Sequence, residues 1–164
     1  MNAGAYGGEM SQVVERVDYL DERGERHSLT GAECDFSYRH SIFCQKPWLI
    51  TGALFRLNPK DPGAIKSDMA ELGRRRREKQ PLDYPSAGST FKRPQGHFAA
   101  ALIEECGLKG LSVGGAQVSE KHSGFVINKG GATCADVVAL MREVQDKVLE
   151  KTGVRLEPEV EILP

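Results

Sequence analysis

Ser86, Gly88, Ser89, Lys92 and Arg93 fall within one stretch, Tyr84-Pro-Ser-Ala-Gly-Ser-Thr-Phe-Lys-Arg-Pro94, set between helical segments in turn-prone sequence. A serine hydroxyl can give or take a proton, a lysine and an arginine offer fixed positive charge, and a glycine lets the backbone take φ > 0 or approach a ligand closely. The chemistry this set suits is proton transfer on an anionic substrate, so the stretch reads as an active-site loop. A turn carrying solvated cations is the competing reading, because loops are rich in these residues in any case.

The elements that must position such a loop are legible from periodicity. Val13 to Leu20 alternates apolar and polar residues, Asp21 to Gly24 supplies a turn, and Glu25 to Leu29 returns as a partner strand. Trp48 to Leu57 is apolar and aromatic and reads as a buried strand. Asp61-Pro62 is an N-cap followed by proline at the first helical position, with Ile65, Met69 and Leu72 at helical spacing, which predicts a helix from about 61 to 79. The cations Arg74 to Arg77 sit on its last turns, where the helix dipole favours them, or else grip phosphate. Phe98, Leu102, Ile103 and Cys106 form a short amphipathic helix that Gly107 ends.

Strand-like pieces follow at Leu111 to Val113 and Ser123 to Asn128, with the polar, glycine-punctuated segment Gly114 to Gly124 between them as a connecting loop. Thr133 and Asp136 resemble a capping pair ahead of a stripe of Val137, Leu140, Met141, Val144 and Val148 that runs to Gly153 and belongs to the core. Val154 to Leu163 alternates as a final strand, with Arg155, Glu157, Glu159 and Glu161 on one face. The fold class is therefore α+β, with a boundary where β-rich sequence gives way to helices: residues 1–57 form one part and 58–164 the other. Residues 1–57 are too small and too open-edged to stand alone.

Composition narrows the function. Among 164 residues, 22 basic and 23 acidic side chains leave a net charge of −1, which provides no global field for nucleic acid or an anionic membrane. The apolar runs are too short to span a bilayer. Cys34, Cys44, Cys106 and Cys134 have no zinc spacing and no signal peptide precedes them, so reduced thiols in a cytoplasmic protein are expected. His27, His40, His97 and His122 are scattered, which argues against a metal centre; His122, beside the polar loop, reads as a surface residue or a substrate contact.

Five ordered segments then resemble one family, the UDP-N-acetylenolpyruvoylglucosamine reductases: MNAGAYGGE at 1–9, YRHSIF at 38–43, KQPLDYPSAGSTFKRP at 79–94, LIEECGLKGLSVGGAQVSEKHSGFVIN at 102–128 and LEPEV at 156–160. The resemblance covers essentially the whole chain. It implies an α+β flavoenzyme in which FAD takes hydride from NADPH and passes it to the enolpyruvyl group of UDP-N-acetylglucosamine enolpyruvate, giving UDP-N-acetylmuramate for the bacterial cell wall. By the same resemblance the proton donor falls on Ser89, the carboxylate-binding arginine on Arg39 and the assisting carboxylate on Glu159. Asn2, Ala3, Gly4, Ala5, Tyr6 and Gly7 resemble flavin-contacting sequence, and Lys92, Arg93, Gln117 and Lys121 resemble substrate-binding positions. Lys92 is the nearby cation that would help Ser89 release its proton.

Arg93 stands where many relatives have asparagine, and no insertion follows Trp48; both features fit the branch lacking an extra substrate-covering loop. Complete members begin with a further domain carrying the FAD phosphate loops, so the expectation is a chain truncated at its N-terminus: 1–57 the remainder of the flavin domain and 58–164 the substrate domain. The alternatives are a UDP-sugar-binding module without redox chemistry and a partner for a separately encoded flavin half.

Overall fold

A computed structural model describes residues 1–163. The chain is α+β and separates into two compact units, Met1–Pro62 and Gly63–Pro164.

The first unit is built from hairpins. β1 (Gly4–Ala5) and β2 (Gly8–Glu9) pair across Tyr6 and Gly7, both at positive φ, the tight connection that an Asn-Gly-like pair supports. β3 (Val14–Leu20) and β4 (Arg26–Thr30) form the expected hairpin. Asp21 organises its turn, with Oδ1 accepting from the backbone N–H groups of Arg23 and Glu25 at 2.9 Å each. β5 (Leu49–Phe55) adds antiparallel to β3, giving the sheet order β4-β3-β5. Val17 and Tyr19 are buried, and Tyr19 stacks on Trp48 with centroids 4.4 Å apart.

The expectation for Trp48 to Leu57 needs correction. The strand forms, but Leu49, Ile50, Leu54, Phe55 and Leu57 are all exposed. Apolar composition states what a strand is suited to bury, and in this unit only β3 lies beside it.

In the second unit α1 (Pro62–Lys79) begins at the proline, as its fixed φ and missing N–H favour. No residue of α1 is buried, and Ile65, Met69 and Leu72 lie open to solvent. Its arginine run is tied into the helix surface: Arg74 and Arg75 both bond Glu71, and the Arg74 contact first of all holds that carboxyl down to about 2.

β6 (Ser86–Ser89), β9 (Phe125–Asn128), β8 (Ala116–Val118) and β7 (Ser112–Val113) form an antiparallel sheet in that order. α2 (Ala99–Glu105) and α3 (Cys134–Thr152) contribute Leu102, Ile103, Leu140, Met141, Val144 and Val148 to one core with Ala116, Val118 and Val126. α3 starts on a reciprocal cap in which Thr133 Oγ1 accepts from Asp136 N–H at 3.1 Å and Asp136 Oδ2 accepts from Thr133 N–H at 2.9 Å, with Asp doing the work usual for Glu or Gln. It ends at Gly153 in the left-handed region.

Three further expectations change. Part of Tyr84 to Pro94 is strand β6, because Ser86 and Ser89 pair with β9. Gly114 to Gly124 contains β8, so it is the second arm of a hairpin rather than a plain connection. A Cβ on Gly115 would sit 2.4 Å from the Gly130 carbonyl oxygen, and only glycine permits that approach. Val154 to Leu163 is extended but pairs only at Phe91 with Pro158, where proline has no N–H to continue a ladder.

Urea unfolding checks this frame: Thr133→Ala should lower stability by about 1 kcal/mol, and Gly115→Ala by about 1–3 kcal/mol through overpacking against backbone.

Candidate active site

The two faces of the β6-β9-β8-β7 sheet differ. Ala116, Val118 and Val126 enter the helix-packed core, whereas Phe125 and Ile127 are equally buried but belong to the opposite face. Residues paired across an antiparallel ladder share a face. Ser89 pairs with Phe125, and Ser86 and Gln117 both pair with Ile127, so Ser89 and Gln117 stand on the side away from α2 and α3.

That orientation depends on a bulge. Ser86 and Ser89 are three residues apart and would point to opposite faces of a regular strand, yet their partners are two apart. Gly88 absorbs the extra residue at φ +86, with open space where a Cβ would be. Thr90 then fixes the register: it is buried, its N–H donates to the Gly124 carbonyl at 2.9 Å, and its Oγ1 accepts from Val126 N–H at 3.0 Å.

Glu159 joins this corner through its backbone. Its N–H donates to the Thr90 carbonyl at 2.9 Å, and Lys92 N–H donates to the Glu157 carbonyl at 2.8 Å, so the chain's last extended segment runs beside the residues that follow Ser89. Ser89 and Glu159 are thus brought to one region by main-chain bonds. Lys92, the cation expected to help Ser89, forms an ion pair with Glu157. Arg93 lies over the Phe98 ring at 4.0 Å and donates to the His97 carbonyl at 3.3 Å.

Gln117 and Lys121 border one cleft of about 210 Å³ with Tyr84, Lys129, Asp83 and Glu120. Gln117 donates its amide to the Gly110 carbonyl and to Ser112 Oγ, which fixes its plane. Lys121 Nζ donates to the Arg77 carbonyl at 2.6 Å, and Lys129 Nζ to Tyr84 Oη at 3.1 Å. Two lysines and two carboxylates leave the cleft balanced in charge.

His122 was the least specified residue in the sequence and is placed tellingly. It lies half-buried, edge-on to Phe125 with centroids 4.9 Å apart. Burial pushes its pKa down, and Gly124 N–H donates to Nδ1, so the ring is neutral with its proton on Nε2. Alternation of Gly-Ser-Thr-Phe could have revealed Thr90; nothing local in the sequence marks the Lys129–Tyr84 contact.

In the first unit Arg39 occupies the left-handed region at φ +54, at the second central position of a turn closed by Ser37 and His40. A non-glycine residue held there carries roughly 1–3 kcal/mol of strain, a feature concentrated at functional positions. Its guanidinium lies 5.2 Å from the Tyr38 ring centroid.

The residues expected to contact flavin divide between buried and exposed positions of the N-terminal hairpin. Asn2 is buried, donating to Glu9 Oε2 at 2.7 Å and accepting from Ser11 N–H at 2.9 Å, so its side chain serves the fold. Ala5, Tyr6 and Gly7 are exposed, and space above Gly7 is open, which suits backbone contact with a planar ring.

Two outcomes test this geometry. Gly88→Val should cost about 1–2 kcal/mol by forcing a β-branched residue to positive φ and should speed amide exchange at Ser89 and Phe125, with Gly88→Asn milder. Because the folded-state pKa of His122 lies below its ordinary 6.5, the unfolded chain binds more protons as pH falls through that value and stability declines there. His122→Gln should flatten that slope in unfolding measured from pH 7 to 5.

Comparison with known proteins agrees with this architecture. Residues 80–163 match the model of the UDP-N-acetylenolpyruvoylglucosamine reductase C-terminal domain. The chain is 57% identical over 163 residues to the UDP-N-acetylenolpyruvoylglucosamine reductase of Agathobacter rectalis, covering 99% of this chain and 52% of that protein. It is 56% identical to that of Caldanaerobacter subterraneus subsp. tengcongensis, covering 99% and 54%. It superimposes on the crystal structure of UDP-N-acetylenolpyruvylglucosamine reductase (MurB) from Thermus caldophilus with a TM-score of 0.84 at 37% identity, covering 100% of this chain and 58% of that one. The chain spans about half the length of the curated relatives it matches. With its C-terminal domain matched by the family model and the fold shared throughout, the chain belongs to the UDP-N-acetylenolpyruvoylglucosamine reductase family.

Proposed function

We propose that this chain carries the substrate-handling part of a cytoplasmic reductase that converts UDP-N-acetylglucosamine enolpyruvate to UDP-N-acetylmuramate in peptidoglycan synthesis. FAD, when bound, supplies the hydride chemistry, with NADPH as the reductant. The observation that carries this reading is Ser89, turned by the Gly88 bulge onto the open face of the sheet beside the segment that bears Glu159.

Hydride addition to the enolpyruvyl double bond places negative charge on the adjacent carboxylate as an enediolate. Arg39 stabilises that charge with paired donors from a group that never loses its own charge. Its strained turn fixes the backbone from which the guanidinium projects. Ser89 gives its proton to the carbon next to the one that receives hydride. Glu159 assists by hydrogen bonding beside the substrate carboxylate. Lys92, paired with Glu157 at the solvent-exposed edge, is the nearby cation that would help Ser89 release its proton once substrate is bound. Gln117 and Lys121 border the cleft that receives the polar groups of the UDP-sugar, with Arg93 stacked on Phe98 at a separate edge.

The second reading is a UDP-sugar-binding module or partner of a separate flavin half. A visible absorbance titration with FAD, then anaerobic NADPH, then the enolpyruvyl UDP-sugar separates the two. Bleaching and recovery mean turnover by this chain, and UDP-sugar binding without a flavin signal favours the second.

Replacement by alanine of the serine aligned with Ser89 in the Agathobacter rectalis relative tests the proton-donor role. Flavin reduction by NADPH should persist while reoxidation by substrate slows by about 10²–10⁴-fold. Equal loss in both half-reactions rejects the assignment.

A further inference from the structure

The turn between β3 and β4 gathers three groups that the sequence holds apart. Asp21 follows the end of β3, Glu25 precedes β4 and His27 is the second residue of that strand, so antiparallel pairing folds all three to one end of the hairpin. His27 Nε2 lies 3.1 Å from Asp21 Oδ2, and one ligand atom from each of Asp21, Glu25 and His27 falls within 4.8 Å of the others. Asp21 divides its oxygens: Oδ1 accepts the two backbone N–H groups of the turn, and Oδ2 faces the imidazole. The ring is set in place from the sheet, because Tyr19 stacks on His27 with centroids 5.4 Å apart and on Trp48 as well. Trp48 Nε1 in turn donates to Glu22, which commits the turn's other carboxylate elsewhere.

We infer that Asp21, Glu25 and His27 form a zinc site at the tip of the β3–β4 hairpin, with water in the fourth position. A tetrahedral zinc ion bound by nitrogen and oxygen at about 2.0–2.1 Å keeps its ligand atoms about 3.3 Å apart. The His27–Asp21 pair already stands near that spacing. Glu25 is exposed and reaches the third corner by rotation of its side chain. The imidazole nitrogen separates this set from an ordinary patch of surface acid: imidazole with carboxylate suits zinc, whereas magnesium and calcium take oxygen ligands in greater number. The scattered histidines argued against a metal centre, but here a single histidine acts with two carboxylates that the turn delivers. The ion ties residue 21 to residue 27 and so fastens the hairpin in its folded form. The site lies wholly within the first unit and does not rest on the reductase reading.

The test titrates the full 164-residue chain with zinc chloride while amide and imidazole chemical shifts are followed. Shifts should centre on Asp21, Glu25 and His27 and saturate at one ion per chain, and magnesium chloride at the same concentrations should leave them unmoved. His27→Gln and Glu25→Gln should each weaken zinc binding by at least the about tenfold that losing an outer-shell partner alone costs. Glu25→Gln keeps the backbone bonds through which residue 25 builds the turn, so it tests the ligand without dismantling the hairpin. Zinc should also raise the urea unfolding midpoint of the native chain and leave that of His27→Gln unchanged. Four results would overturn the inference: no saturable shift at the three residues, shifts centred on a cysteine, an equal response to magnesium, or zinc binding that neither variant weakens.

Discussion

The register of β6 against β9 is the constraint on which the candidate site depends. One extra residue between Ser86 and Ser89, absorbed at Gly88, decides that Ser89 looks away from the helices. Thr90 makes that choice permanent, since its buried hydroxyl and its N–H are both used by the β9 side of the sheet. A serine on the helix face would instead be turned toward α3, on the side of Thr90 and Val126. The same residues carry the backbone bonds to the final segment, so the placement of Glu159 follows from the placement of Thr90.

Around this corner the polar groups are organised for rigidity before chemistry. Gln117 is held by two acceptors, Lys121 by a helix carbonyl and Lys92 by Glu157. His122 is kept neutral by burial and by the N–H it accepts, so near neutral pH it adds no charge beside Phe125. Arg39 shows a different kind of constraint, a backbone conformation that costs energy and that its turn nevertheless enforces.

Much of this was legible from residues alone. The first hairpin, the capped helix α3 and its apolar stripe follow from alternation, turn chemistry and helical spacing, and the structure has all three. Ser89 and Gly88 stood out by type. What periodicity could not show was pairing: β6 and β8 are short strands set in polar, glycine-rich sequence whose identity comes from β9 between them, and glycine there means close approach rather than slack. The extended tail alternates like a strand, but Pro158 limits it to a single bridge. For β5 the pattern was read correctly as a strand and wrongly as buried, because sequence records the surroundings a strand suits and not those that a given stretch of chain supplies.

The central claim is that ligand meets the face of the sheet bearing Ser89, and backbone chemical-shift mapping of the isotope-labelled chain during titration with the enolpyruvyl UDP-sugar tests it most directly. The account predicts shifts at Ser89, Gln117, Lys121 and Phe125, with Val137 and Met141 on α3 undisturbed. Shifts confined to α3 and the helix side of β6, with Ser89 and Phe125 unmoved, would contradict it.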